Sequence, residues 1–125
     1  MLRTFVPGLT ALACACPMAA QSQTVVAPGF NSVSQVYQCA GGAKLPVVTL
    51  NIQGGDSFAT LYVDGTLALL RSGPTGSGAN YIAVDEQVGY RWRTKEDQGV
   101  LLRLAPDHTA REKVVLQDCK VQRAQ

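Results

Sequence analysis

Residues 58–71 read FATLYVDGTLALLR and give the clearest indication of the fold. Apolar and polar side chains alternate from Phe58 to Val63, which is the pattern of a strand with one buried face. Asp64-Gly65 follows, a dipeptide that favours the two-residue turn of a β-hairpin. Leu67 to Arg71 then leads back as the second strand. The stretch therefore predicts an antiparallel hairpin.

The chain from residue 33 onwards repeats this organisation on both sides of the hairpin. Short runs rich in Val, Ile, Thr and aromatic residues alternate with turns rich in Gly, Asp and Pro, and helical periodicity is almost absent. Eight such runs predict an all-β domain, a small eight-stranded antiparallel β-barrel or a sandwich, in which closure removes exposed strand edges. The runs cover residues 33–39, 44–52, 58–63, 67–71, 80–84, 90–94, 100–104 and 112–119.

The first twenty residues have the features of a secretory signal peptide. Arg3 supplies a positive n-region, an apolar run extends from Phe5 to Ala15, and Met18-Ala19-Ala20 offers a cleavage point before Gln21. The apolar run is too short to span a bilayer. We therefore expect residues 1–20 to be removed on export.

The mature chain would consist of a lead-in and one domain. Residues 21–32 are rich in Gln, Ser, Pro and Gly without periodicity, which predicts a flexible lead-in, and residues 33–125 have the size of a single domain. Removal of Arg3 lowers the formal net charge from +2 to +1. A charge so close to zero excludes the broad electrostatic surface of a nucleic-acid-binding protein, and any partner must be recognised locally.

Two of the four cysteines lie in the signal peptide and two, Cys39 and Cys119, bracket the mature domain. After export to an oxidising compartment, Cys39 and Cys119 would be the only thiols left, so we predict a disulfide between them. Because this bond would close a long covalent loop, it would add roughly 4 kcal/mol to the free energy of unfolding.

The other two cysteines, Cys14 and Cys16, raise the alternative of a lipid anchor. A lipoprotein signal ends in a small residue followed by the cysteine that is lipidated, as in Ala13-Cys14 and Ala15-Cys16. Neither pair has a Leu three residues before the cysteine, since Leu12 lies two residues before Cys14. We therefore expect a soluble periplasmic protein, with a lipid-anchored periplasmic protein as the alternative.

The mature sequence offers little chemistry for catalysis. Its one histidine, His108, lies in a predicted turn, and with both cysteines bridged no cluster of metal ligands remains. Gly76-Ser77-Gly78 lacks the pattern and the strand-to-helix context of a nucleophile elbow. Asp85 and Glu86 are adjacent and would point to opposite faces of a strand. We expect no enzyme, no catalytic residue, no metal and no cofactor, with a hydrolase using Ser77 and His108 as an alternative.

The stretch from Ser77 to Lys95 combines small, aromatic and charged residues more densely than any other. Glycines on both sides of Ser77 let the backbone protrude or adopt a positive φ angle. On the following strand, aromatic side chains share one face and cationic side chains share the other. The aromatic face is expected to fill the barrel, whereas the cations have no role in folding and are better explained by an acidic partner. The aromatic face comprises Tyr90 and Trp92, and the cationic face comprises Arg91, Arg93 and Lys95.

These residues resemble a known family, the bacterial inhibitors of C-type (animal-type) lysozyme in their periplasmic or membrane-bound forms. The resemblance rests on Ser-Gly-Ala-Asn-Tyr at 77–81 and Tyr-Arg-Trp-Arg-Thr-Lys at 90–95. It also rests on Val36-Tyr37-Gln38-Cys39 and Asp118-Cys119-Lys120, and it covers roughly residues 37–121. It implies an eight-stranded antiparallel barrel, a C-type lysozyme as partner, and protection of the cell wall of a Gram-negative bacterium against host defence.

The resemblance also implies which residues bind lysozyme. The family motif Ser-Gly-x-x-Tyr is matched by Ser77, Gly78 and Tyr81, and the motif Tyr-x-x-Trp-x-Lys-Gly is matched at Tyr90 and Lys95. Two positions depart from the second motif, because Arg93 replaces its Trp and Glu96 replaces its Gly. The implied binding residues are Ser77, Gly78, Tyr81, Tyr90, Arg93 and Lys95, with Asp85, Glu86 and Asp97 expected at the rim of the contact.

A second interpretation is a periplasmic barrel that binds a small ligand or a cell-wall glycan, with Trp92 stacked on a sugar. An exposed Trp92 beside an internal cavity would favour this interpretation, and a packed barrel with a protruding Ser77 loop would favour the inhibitor. The exposed apolar residues leave a homodimer open.

Overall fold

The structure, a computed structural model, describes residues 8, 22–107 and 111–122. Within these residues it consists of nine β-strands and one short 3-10 turn, Ala40–Gly42. The predicted signal peptide, the proposed lipid-anchor cysteines and His108 lie outside the described residues. The strands are β1 Gln23–Ala27, β2 Phe30–Gln38, β3 Lys44–Ile52, β4 Ser57–Val63, β5 Thr66–Gly73, β6 Ala79–Ala83, β7 Tyr90–Lys95, β8 Gln98–Arg103 and β9 Lys113–Val121.

The strands form a meander in which each strand pairs antiparallel with the next along the chain. The sheet closes because β9 also pairs with β2, with Tyr37 opposite Val121 and Gln38 opposite Lys120. Strands β2 to β9 therefore make a closed eight-stranded antiparallel barrel, which confirms the predicted fold class. The hairpin predicted from residues 58–71 is formed by β4 and β5 around Asp64-Gly65.

Strand β1 is an addition to this barrel. It pairs with the first half of β2, from Gln23 opposite Ser34 to Ala27 opposite Phe30, on the edge of β2 that β9 leaves free. Residues 21–32 were expected to be a lead-in without regular structure, and this expectation is wrong for residues 23–27 and 30–32. The turn at Pro28-Gly29 brings β1 back onto β2, and Gly29 adopts a φ of 88° there.

The barrel interior is filled by alternate residues of its strands. Trp92 lies near its centre with 1% of its surface exposed, and the Tyr37 ring meets it edge-to-face at a centroid distance of 4.9 Å. Gly99 faces the Trp92 ring across the β7–β8 pair, and any Cβ at position 99 would overlap that ring. The largest fully buried side chains are Trp92, Leu45, Leu61, Leu70, Leu101 and Cys119.

The predicted disulfide is present between Cys39, just after β2, and Cys119, near the end of β9. Both cysteines are buried, with 5% and 0% of their surface exposed. The bond links the first and the last strand of the barrel beside their short pairing. It therefore reinforces the point at which the sheet closes.

The meander decides which loops lie together. Because successive strands run in opposite directions, the β5–β6 loop and the β7–β8 turn lie at the same end of strands β5 to β8. The β4–β5 and β6–β7 turns lie at the far end of those strands. Within the described residues, no helix has the length and apolar character needed to span a membrane.

Candidate functional site

The loop carrying Ser77 lies directly against the end of β7. Ala79 pairs with Thr94 in the β6–β7 ladder, so the loop just before Ala79 reaches the last residues of β7. Gly78 has a φ of 72° and approaches the backbone of Thr94 and Lys95 so closely that a Cβ would overlap the Thr94 carbonyl oxygen. Only glycine satisfies both conditions. Gly78 therefore holds the loop that carries Ser77 against the end of β7 at Thr94 and Lys95.

Two hydrogen bonds shape this loop. The Thr75 hydroxyl donates to the Ser77 carbonyl oxygen at 2.9 Å, and the Asn80 side-chain amide lies 3.5 Å from the Pro74 carbonyl oxygen. The Ser77 hydroxyl is exposed and has no hydrogen-bond partner among the described residues, and the Lys95 ammonium group likewise has no ion pair among them. Both polar groups are therefore available to a binding partner.

An open groove of about 620 Å³ runs along this end of the barrel. The β5–β6 loop forms one side, with Ser77, and the end of β7 forms the other, with Arg93 and Lys95. Gln117 and Asp118 of β9 line the groove further along, at the bulge where β9 shifts register against β8. Ser77 and Lys95 thus lie on one continuous surface.

The cationic face of β7 is partly neutralised within the chain. Glu112 accepts hydrogen bonds from Arg91 at 2.8 Å and from Arg93 at 2.9 Å. The interpretation that these cations have no role in folding is therefore wrong for two of the three. The pairing with Glu112 could not be predicted from the sequence, because Glu112 lies about 20 residues from Arg91 and Arg93 along the chain, just before β9. Lys95, the third cation on this face of β7, forms no ion pair with an acidic side chain among the described residues.

Tyr81 and Tyr90, two of the residues implied to bind lysozyme, belong to the barrel core. They are 7% and 6% exposed, so each can offer a partner only a small part of its surface. Tyr81 lies opposite Trp92 in the ladder that carries Thr94, and burial raises the pKa of the Tyr81 hydroxyl. The Arg103 guanidinium lies 5.4 Å above the centre of the Tyr90 ring. Tyr81 therefore packs inside the barrel on the strand that follows the Ser77 loop, whereas Tyr90 begins β7 at the opposite end from Lys95.

The acids expected at the rim are divided between the two ends of the strands. Asp97 lies in the β7–β8 turn, next to the proposed site. Asp85 and Glu86 lie in the β6–β7 turn, where the Asp85 carboxylate accepts a hydrogen bond from the Gln87 backbone amide at 3.0 Å. That turn is at the opposite end of β7 from Lys95. The expectation that Asp85 and Glu86 belong to this rim is therefore wrong.

Glu96 has an unusual backbone for its residue type. It begins the two-residue turn between β7 and β8, and its φ is 56°. Residues other than glycine, asparagine and aspartate rarely adopt this left-handed backbone conformation. The glycine that the family motif has at this position is therefore explained by the turn. In this chain a glutamate occupies it.

The alternative of a glycan-binding barrel finds no support at Trp92. Trp92 is buried, so it cannot stack on a sugar at the surface, and the interior around it is packed. Among residues 8, 22–107 and 111–122, no group of three or more His, Cys, Asp or Glu side chains could hold a metal ion. The proposed pairing of Ser77 with His108 is untested, because His108 lies outside the described residues.

Fold and site together define a class, the small closed β-barrels, here with an exposed serine and an exposed lysine lining one groove. The particular family follows from comparison with known proteins. The family model described as "Membrane-bound lysozyme-inhibitor of c-type lysozyme" matches residues 37–110, which is more than half of the chain. The chain belongs to this family.

A solved structure supports the fold. The periplasmic lysozyme inhibitor of C-type lysozyme from Salmonella typhimurium superposes with a TM-score of 0.62 at 23% sequence identity. The similarity covers 72% of this chain and 96% of the Salmonella protein. No curated protein matches the chain.

Proposed function

We propose that this chain inhibits C-type lysozyme by inserting the Ser77 loop and the end of β7 into the active-site cleft, and so protects the cell wall. One observation carries the proposal. The contact of Gly78 with Thr94 and Lys95 holds an exposed serine beside an exposed lysine, and neither polar group has a partner among the described residues. Membership of the inhibitor family supports the identity of the target.

The chemistry of the target suits this pair of side chains. Lysozyme uses two carboxyl groups that flank the glycosidic bond to be cleaved. The Lys95 ammonium group would form an ion pair with one of these carboxylates, and the Ser77 hydroxyl would donate a hydrogen bond. Hydrogen bonds to charged groups contribute about 1.5–3 kcal/mol each. The inserted loop would also occupy the space that the sugar chain needs.

Three of the remaining implied residues have supporting roles in this proposal. Gly78 sets the backbone of the loop, Tyr81 packs in the core on the strand that follows the loop, and Arg93 flanks the groove while bonded to Glu112. Tyr90 lies at the opposite end of β7 from Lys95 and has no part in it. A binding role requires no metal, cofactor or catalytic residue. We therefore propose an inhibitor that is not itself an enzyme.

Location in the periplasm fits this function, since lysozyme reaches the cell wall there. The family is described as membrane-bound, and the similar Salmonella protein is described as periplasmic. We propose export by the signal peptide at residues 1–20 to the periplasm, with lipid attachment at Cys14 or Cys16 as the alternative. A homodimer also stays a prediction.

Inhibition can be measured by the clearing of a suspension of bacterial cell walls by a purified C-type lysozyme. The oxidised chain is expected to slow clearing, and Ser77→Ala is expected to raise the inhibition constant about tenfold, because a hydrogen bond to a carboxylate is lost. Thr66→Ala removes an exposed hydroxyl at the far end of β5 and should leave inhibition unchanged. A folded wild-type chain that fails to slow several animal lysozymes would contradict the proposed function.

A further inference from the structure

The turn between β7 and β8 contains a residue that the fold does not explain. Three residues other than glycine have a left-handed backbone among the described residues, namely Asp64, Glu96 and Asp118. Aspartate tolerates this conformation because its short side chain can hydrogen-bond to nearby backbone groups. Glutamate has no such advantage, and glycine would adopt the same turn without steric cost. Backbone strain of this kind is concentrated at functional sites.

The Glu96 side chain makes no interaction with the described residues that would offset this unfavourable backbone conformation. It is exposed, and no hydrogen bond or ion pair joins its carboxylate to another described residue. By contrast, Glu112, the acid near the other end of β7, bonds two arginines. Folding therefore accounts for Glu112 but not for the glutamate at position 96.

The position of Glu96 relates it to the proposed site. It directly follows Lys95, so a cation and a carboxylate stand next to each other at the tip of the β7–β8 hairpin. A carboxylate brought towards the two acidic groups of lysozyme would be repelled, unless the target places a cation opposite it. Such an arrangement favours targets that have this cation and disfavours those that lack it.

We propose that Glu96 is a specificity-determining residue, which pairs with an arginine or lysine on the rim of the lysozyme cleft while Lys95 engages the carboxylates inside. This inference rests on the proposed function. It adds the chemistry of the favoured target, a C-type lysozyme with a basic side chain at the edge of its acidic cleft. Lysozymes without that side chain would be inhibited more weakly.

The test compares Glu96→Gln with the wild type in the cell-wall clearing assay, at low and at physiological ionic strength. Glutamine keeps the length and shape of the side chain but removes its charge. We expect the inhibition constant to rise about three- to fivefold at low salt, and to depend less on salt than that of the wild type. Asp64→Asn is the matched control, since it removes the same charge from a left-handed turn at the far end of β5.

The outcomes separate this inference from the proposed function. If the wild type inhibits lysozyme and Glu96→Gln inhibits equally well or better, the inference is wrong and the proposed function stands. If the wild type does not inhibit at all, both are wrong. Thermal unfolding of each variant checks that the barrel is intact, and Glu96→Lys, which reverses the charge, should weaken inhibition further than glutamine does.

Discussion

Replacement of Lys95 by alanine is expected to weaken inhibition of C-type lysozyme by about 30- to 4000-fold, because loss of one partner of a desolvated charge pair costs about 2–5 kcal/mol. Within the chain the lysine makes no ion pair with a described residue, so its removal should leave the fold undisturbed. The expected loss is larger than for Ser77→Ala, because the cation is fully charged and the hydroxyl is not.

Two further variants make this result specific. Lys113→Ala removes the same charge from an exposed position at the start of β9, near the far end of the strands, and should change the inhibition constant little. Lys95→Arg keeps the charge but changes the shape of the donor group, and should retain part of the inhibition. A loss of less than threefold for Lys95→Ala, in a protein that unfolds at the wild-type temperature, would remove Lys95 from the proposed mechanism.

Removal of the disulfide should have the largest effect on stability. The bond joins residues 80 positions apart, so the chain-entropy model gives a loss of roughly 4 kcal/mol when both Cys39 and Cys119 are replaced by alanine. That is a large fraction of the total free energy of unfolding of a small domain. Since 1 kcal/mol corresponds to roughly 4–8 °C for a domain of this size, the midpoint of thermal unfolding should fall by about 15–30 °C.

The effect is expected to be centred on the seam between β2 and β9. Their pairing is short, with Tyr37 opposite Val121 and Gln38 opposite Lys120. Without the covalent bond, this seam is the weakest place in the closed sheet. Circular dichroism at increasing temperature measures the change, and chemical reduction of the wild type is an independent control that leaves the sequence unaltered. A drop of only a few degrees in both experiments would show that the strand pairing alone closes the barrel.

The barrel could be predicted from the sequence because its signals are local. Alternating side chains and turn dipeptides such as Asp64-Gly65 act within a few residues, and each of the eight barrel strands has such a signal. The disulfide followed from counting the thiols that would remain once the predicted signal peptide is removed. Strand β1 was missed because its residues, QTVVA, are flanked by Gln, Ser, Pro and Gly, and because its partner is the free edge of β2, which only the closed structure reveals.

The candidate site could be predicted only in part. The resemblance pointed to Ser77 and Lys95, and the contact at Gly78 explains why these residues lie together. The ion pairs of Arg91 and Arg93 with Glu112 were not predictable, because they depend on where the folded barrel places Glu112 relative to β7. The burial of Tyr81 and Tyr90 follows from strand alternation, whereas their inclusion among the binding residues came from the family motif alone.

The most direct test of cleft insertion is a competition experiment. Binding of the oxidised chain to active C-type lysozyme is measured by calorimetry, first with an empty cleft and then with a short chitin oligosaccharide occupying it. Insertion of the Ser77 loop and Lys95 into the cleft predicts mutual exclusion, so the apparent Kd for the chain should rise in proportion to the sugar concentration. Binding that is unchanged at saturating oligosaccharide would contradict insertion and place the contact elsewhere on the enzyme.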